Sequence, residues 1–381
     1  SYDRALCPDG YIPLCIAENS LVWDLVEPKV CAPRDVPPRA LGYDDMVGPR
    51  HFREELATFM GRWILGRDVD ADHLSVLAGA GSILETLFYA LADAGEGVLV
   101  PTPSYAGFWM DLEGRDGLQI IAVPGREADG FRVHVDALDA AVDDAAIPVR
   151  ALLFTSPNNP LGCVYSREEL LLILEWAESR QIHVVFDEVY ALSVFGEQAF
   201  TSVASLREQL GDYVHIVWAF SKDFAASGLR VGVLVSENQG VRATVSSLSY
   251  WSCCSGDTLE MLRSWIGDED WLKTYVSGMR DRLGGAYQQV AEHMSAHGVP
   301  FVPAQGGFFV LVDLAGFMEE STWAGEEVLW RKLLEDGGVN LTPGSALRAA
   351  RPGLFRLCFA SVSSEVLQVG LERITGVLSD A

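Results

Sequence analysis

Two short apolar runs end in groups suited to proton chemistry. HVVF is followed by Asp187, Glu188 and Tyr190, and HIVWAF by Ser221, Lys222 and Asp223, with Arg230 eight positions beyond the lysine. A carboxylate at the end of a buried strand is costly unless it faces a cation. A protonated pyridine-type nitrogen is such a partner, because the nearby negative charge favours its charged form. A ring so charged is an electron sink for a carbanion. A lysine at a strand end near cationic groups has its pKa lowered, which suits it to imine formation and then to moving a proton. Arg230 offers a planar fork of donors to a phosphate, and Ser221 adds a hydroxyl.

Other strand ends add to the set. LAGAGSILETL places Gly79, Gly81 and Ser82 before a helix, where backbone N–H groups and a positive helix end face an anion, although many such turns hold glycine for steric reasons alone. VLVPTPSYAGFW supplies Tyr105, whose face could stack on a ring or fill the core. SPNNPLG supplies Asn159, whose amide could donate to a ring oxygen that Tyr190 also reaches. Arg356 lies inside LFRLCFA, where an unpaired guanidinium is expensive; a substrate carboxylate and a structural ion pair are the two explanations.

These residues need a scaffold that brings strand ends together. From about residue 74 the runs SVLAG, VLVPTP, LQIIAVP, ALLFTSP, HVVFDEV, HIVWAF and VGVLVS alternate with helical patterns such as SREELLLILEWAESRQ, which opens on a Ser166–Glu169 capping box. That is the pattern of an α/β protein with a mostly parallel sheet, whose ligands bind beyond the carboxyl ends of the strands. From about residue 281 a long helix, FVPAQGGFFVLVDL, VNLTPGSAL, FRLCFA and a last helix read as a small α+β unit. The expected division is a large domain at 46–280 and a small one made of 1–45 and 281–381.

The 381 residues carry 53 acidic and 28 basic side chains, a formal charge of −25 that repels nucleic acid and anionic membranes. The seven cysteines have no C-x-x-C spacing and read as reduced thiols in a cytoplasm. The histidines are read as lacking metal-type spacing, with His183 and His215 in packing roles, and no metal site is expected. Neither an export leader nor a membrane span is expected.

NNPLG, DEVY, SKDFAASGLRVG and PGLFRLCFA together resemble the fold type I pyridoxal-phosphate enzymes, those with the aspartate aminotransferase fold. IAENSLVWDL, LVPTPSYAGFWMDL and PGSAL narrow the likeness to 1-aminocyclopropane-1-carboxylate synthases, which use S-adenosylmethionine. The resemblance covers nearly the whole chain. It implies pyridoxal 5′-phosphate as cofactor, Lys222 as the imine-forming lysine and Cα base, and Asp187 as the partner of the ring nitrogen. It further implies that Asn159 and Tyr190 contact the ring's 3-oxygen and that Tyr105 stacks on the ring. Gly81, Ser82, Ser221 and Arg230 would hold the phosphate, Arg356 the α-carboxylate, and Glu18 would approach the sulfonium unless it merely caps a helix. A homodimer is implied as well.

Three departures stand out. Ala219 replaces a phosphate-binding serine, Met46 stands where the family has a tyrosine that reaches the neighbouring subunit's phosphate, with Tyr43 close but out of register, and SYWSCCSGDT (249–258) replaces a family loop. The expected reaction is therefore loss of methylthioadenosine from S-adenosylmethionine, followed by γ-replacement with a second substrate such as a nicotinamide nucleotide, or by cyclopropane formation. Plain amino transfer is the alternative, and a cofactor-free binding module the non-enzymatic one.

Overall fold

The computed structural model describes residues 2–379. After a short β1 (Ile12–Pro13), each of the seven expected runs forms one strand of a single sheet: β2 (Leu74–Leu77), β3 (Gly97–Thr102), β4 (Gln119–Pro124), β5 (Val149–Thr155), β6 (His183–Asp187), β7 (Val214–Ala219) and β8 (Gly232–Ser236). The order is β2-β8-β7-β6-β5-β3-β4. Only β8 runs against its neighbours; the pairings of β4, β3, β5, β6 and β7 are all parallel.

Covering both faces with helices is what makes these strands continuously apolar. Along β5, β6 and β7, Leu152, Phe154, Val184, Phe186, Ile216 and Trp218 enter one buried cluster, while the alternate residues Leu153, Val185 and Val217 enter a second. The capping box forms as expected at the start of the helix Arg167–Arg180: Ser166 Oγ accepts from Glu169 N–H at 3.2 Å, and Glu169 Oε2 accepts from Ser166 N–H at 2.6 Å.

The last third of the chain adds β9 (Phe301–Val302), β10 (Phe309–Asp313), β11 (Val339–Asn340), β12 (Thr342–Pro343) and β13 (Leu354–Cys358). Four of them make an antiparallel sheet in the order β12-β13-β10-β9, and β11 pairs in parallel with β1, Ile12 opposite Val339. Backbone pairing thus joins the N-terminal segment to the C-terminal one. The helix Glu269–Ala296 runs unbroken through position 281, where the domain division is expected.

Packing explains the first histidine pair. His183 Nδ1 meets His215 Nε2 at 3.1 Å, His215 Nδ1 meets Ser236 Oγ at 2.9 Å, and burial pushes the His215 pKa down to about 3. A second pair corrects the expectation about spacing, since His293 and His297 do stand four residues apart. They stack at 4.4 Å, with His293 Nε2 against Thr375 Oγ1 and His297 Nδ1 on the His293 carbonyl. No cluster of three or more potential metal ligands occurs among the described residues. All seven cysteines are free thiols, and among the described residues no helix is long and apolar enough to cross a membrane.

Candidate active site

Parallel strands lying side by side end side by side, so their terminal residues share one rim. Thr155 is the register partner of Asp187, and with Ala219 they line a cavity of about 250 Å³ beyond the carboxyl ends of β5, β6 and β7. Gly81, Tyr105, Asn159, Asp187, Tyr190, Ser221, Lys222 and Arg230 line the same cavity. Eight of the eleven expected site residues therefore converge on one space, although they come from segments up to 149 positions apart.

One end of the cavity is built for an anion. The helix Ala80–Leu91 makes its first internal bond from Ile83 N–H to the Gly79 carbonyl, leaving the N–H groups of Ala80, Gly81 and Ser82 without helical partners. Arg230 lies against this turn so closely that a Cβ at Gly79 would overlap its guanidinium, and Gly79 also has φ +93°. Only glycine satisfies both demands. Arg230 makes no ion pair among the described residues; its Nη1 donates to the Ser227 carbonyl at 2.8 Å. Expectation and structure differ at Ser82, which lies inside the first turn rather than ahead of it. Its hydroxyl donates back to the Ala78 carbonyl at 3.2 Å, which leaves its backbone N–H for an anion.

The middle of the cavity carries groups that could hold a flat cation-bearing ring. Asp187 is 6% exposed and accepts one N–H, from Val189 at 3.3 Å, with no cation within ion-pair distance among the described residues. Burial, reinforced by Asp111, pushes its pKa up to about 7 against the pull of Val189 and Lys222. Asn159 Nδ2 approaches the Tyr190 hydroxyl at 3.5 Å, and both residues line the cavity. Tyr105 is 41% exposed and packs edge-on against Phe108 at 5.3 Å, so it is not a core residue. Lys222 Nζ donates to the Ala17 carbonyl at 2.7 Å. Its pKa is lowered chiefly by burial, with the Arg356 charge acting in the same direction.

Arg356 stands one layer behind. Its guanidinium donates to Asn159 Oδ1 at 3.1 Å, to the Cys15 carbonyl at 2.7 Å and to Thr342 Oγ1 at 3.2 Å, while Nε is buried with no partner. No carboxylate pairs with it among the described residues, which removes the structural ion pair as an explanation. Glu18 is no helix cap, because it sits in an irregular loop five residues before the helix Trp23–Val30; its carboxylate accepts from Ser227 Oγ at 2.7 Å.

Several residues near this site escaped the sequence reading. Asp111 lines the cavity, and burial pushes its pKa to about 6; it stands in the FWMDL run, whose spacing was the available signal. Ser227 ties Glu18 to Arg230. The departing loop braces the anion end, with the Ser252 carbonyl accepting from Ala78 N–H at 2.7 Å and Cys254 Sγ donating to the Arg230 carbonyl at 3.6 Å. Ala219 lines the cavity without a donor, while Met46 and the 96%-exposed Tyr43 line a separate cavity.

An anion cradle, an unpaired buried acid and a lysine of lowered pKa around one slot are the groups that a pyridoxal-phosphate enzyme needs. A family model for aminotransferase class I and II matches residues 30–374, and the chain belongs to that family. It is 32% identical to 1-aminocyclopropane-1-carboxylate synthase 6 of Arabidopsis thaliana, over 96% of this chain and 78% of that one. With 1-aminocyclopropane-1-carboxylate synthase 4 of Oryza sativa subsp. japonica the identity is 35%, over 98% and 83%. Among solved structures, an aromatic aminotransferase from Pyrococcus horikoshii OT3 superposes with a TM-score of 0.85 at 24% identity, over 97% of this chain and 96% of that one. The enzyme is pyridoxal-phosphate dependent, with the aspartate aminotransferase-type fold, and is homologous to the 1-aminocyclopropane-1-carboxylate synthases.

Proposed function

We propose that the substrate is S-adenosylmethionine and that the enzyme removes its Cα proton and releases methylthioadenosine from Cγ. The outcome is γ-replacement or annulation with a second substrate, of which a nicotinamide nucleotide is one candidate, or closure to 1-aminocyclopropane-1-carboxylate. Specialised metabolism is the setting we propose. The observation that carries the reading is the Glu18 carboxylate, which accepts from Ser227 Oγ, a group that lines the Lys222 cavity together with Ala17.

Pyridoxal phosphate, when bound, supplies a ring that withdraws electrons from the substrate's Cα. Arg230, Ser221 and the N–H groups of the turn at Gly81 and Ser82 would hold its phosphate, Asp187 its ring nitrogen, Asn159 and Tyr190 its ring oxygen, and Tyr105 its ring face. Arg356 turns its fork to the substrate carboxylate. Lys222, whose pKa burial lowers, takes the Cα proton. Glu18 steadies the sulfonium until the C–S bond breaks, its electron pair leaving with sulfur. Lys222 could equally return a proton in amino transfer, and the solved relatives are named aminotransferases.

We also propose a homodimer, supported by the exposed Leu41, Tyr43, Tyr250 and Trp251 side chains. Sedimentation that finds only monomers at micromolar concentration rules it out. Mass spectrometry of the products from S-adenosylmethionine plus a panel of acceptors tests the reaction. Methylthioadenosine release without a keto acid is expected; α-ketoglutarate-dependent amino transfer without that release refutes it.

A further inference from the structure

Asp223 follows Lys222 in the chain, is fully buried and has no part in the mechanism above. Its carboxylate accepts three hydrogen bonds, all from uncharged groups. Oδ2 takes Trp218 Nε1 at 2.9 Å and Leu192 N–H at 3.0 Å, and Oδ1 takes Ser193 Oγ at 2.7 Å. The backbone is held as well, because the Tyr275 hydroxyl donates to the Asp223 carbonyl at 2.9 Å. Converging donors of this kind suit an ionised carboxylate, which only accepts. Burial pushes its pKa up to about 6 against the pull of those bonds.

The partners come from two separate strand ends. Trp218 lies on β7, and the short helix Phe220–Asp223 that follows β7 carries Ser221 and Lys222. Leu192 and Ser193 lie two and three positions beyond Tyr190, on the segment that leaves β6 through Asp187. The ladder between β6 and β7 ends with Asp187 opposite Val217, and Asp223 ties the two chains together beyond it. The far side of that segment is fixed in turn. The Ser193 carbonyl accepts from Gly307 N–H at 2.9 Å, just before β10, and the Leu192 carbonyl accepts from Arg280 Nε at 2.8 Å, on the helix Glu269–Ala296.

We infer that Asp223 is a positioning residue that sets where Lys222 stands relative to Asp187 and Tyr190. The lysine's amine has to add to the aldehyde carbon of the cofactor, with loss of water, and a misplacement of about 1 Å can slow such a step roughly 100-fold. The inference rests on the assignment of Lys222 as the imine-forming lysine.

Mixing cofactor-free protein with pyridoxal phosphate, and timing the growth of the visible band of lysine-bound cofactor, reads this placement without any substrate. Asp223→Ala removes the shared acceptor and should slow the band about 100-fold. Asp223→Asn keeps an oxygen for Trp218 and Leu192 and turns its amide to Ser193, whose hydroxyl accepts as well as donates, so the rate should return to within about threefold of the wild type. Ser193→Ala, a smaller cut, should slow the band about fivefold or more, the scale of one hydrogen bond. A wild-type rate in Asp223→Ala, with only the unfolding temperature lowered, overturns the inference. So does an asparagine variant as slow as the alanine one, because the charge and not the placement would then be at work. Should Asp223→Ala fail to fold, an unchanged rate in Ser193→Ala overturns it instead. Lys222→Ala, measured alongside, separates the two assignments. A band that survives in it defeats the role of the lysine, whereas a band lost in it but formed at the wild-type rate in Asp223→Ala and Ser193→Ala defeats only the role of Asp223.

Discussion

Replacing Asp187 by asparagine should make the cofactor-free protein more stable and the cofactor-bound enzyme worse. The carboxyl is buried, and its pKa is pushed to about 7, against about 3.9 in an unfolded chain. The folded protein therefore holds a proton that the unfolded chain has already released, so stability falls as pH rises from about 4 through 7. Each pH unit of difference is worth about 1.4 kcal/mol, which puts the full penalty near 4 kcal/mol above pH 7 and only about a third of that at pH 5. The amide of the variant titrates nowhere in this range, so the stability gap between variant and wild type should widen by about 2 to 3 kcal/mol from pH 5 to pH 8. Urea denaturation of both cofactor-free proteins at the two pH values measures the gap directly. A gap that does not change with pH refutes the claim that Asp187 is a buried acid lacking a cation. Adding pyridoxal phosphate should reverse the ranking, because only the aspartate can pair with a charged ring nitrogen.

Other substitutions probe the remaining contacts. Lys222→Ala should abolish both the visible absorption of lysine-bound cofactor and turnover; retained turnover would show that the proton is handled elsewhere. Arg356→Lys keeps the charge but loses the fork, and should raise KM for S-adenosylmethionine by roughly 10- to 100-fold, the worth of one charge-assisted hydrogen bond, as steady-state kinetics will read. Gly79→Ala places a methyl group where the Arg230 guanidinium lies and forces φ +93° on a residue with a side chain. Cofactor titration should show affinity falling by about tenfold or more, together with a stability loss on the order of 1–3 kcal/mol.

The sheet was legible because each of its strands is an apolar run closed by a turn signal, and such runs have little alternative when both faces are covered. Asp187 and Lys222 were legible for a related reason: an ionisable group just after a buried run has to face something, and both line one cavity. Position within a turn was harder to read. The start of the helix at Ala80 decides which Ser82 groups face the anion site, and a shift of two residues sends the hydroxyl back into the helix. Glu18 gave no local sign that it lies in a loop, since its partner Ser227 is 209 positions away. Asp111 stood in a run already matched to the family, but a carboxylate on a short helix has the same appearance whether it faces water or a cavity.

The unpaired groups have a common physical meaning. An exposed guanidinium beside a positive helix end is an electrostatic repulsion, while a buried carboxylate without a cation and a buried guanidinium with an orphaned Nε each raise the free energy of the protein when nothing is bound. A single molecule carrying a phosphate at one end and a protonated nitrogen at the other relieves the first two together, and a substrate carboxylate relieves the third. Binding of that kind stabilises the folded state by the logarithm of ligand concentration over dissociation constant. Pyridoxal phosphate should therefore raise the unfolding temperature of the wild type well above its effect on Asp187→Asn or Gly79→Ala. A scan in which all three proteins gain equally from the cofactor would mean that the cradle and the acid do not act on one ligand.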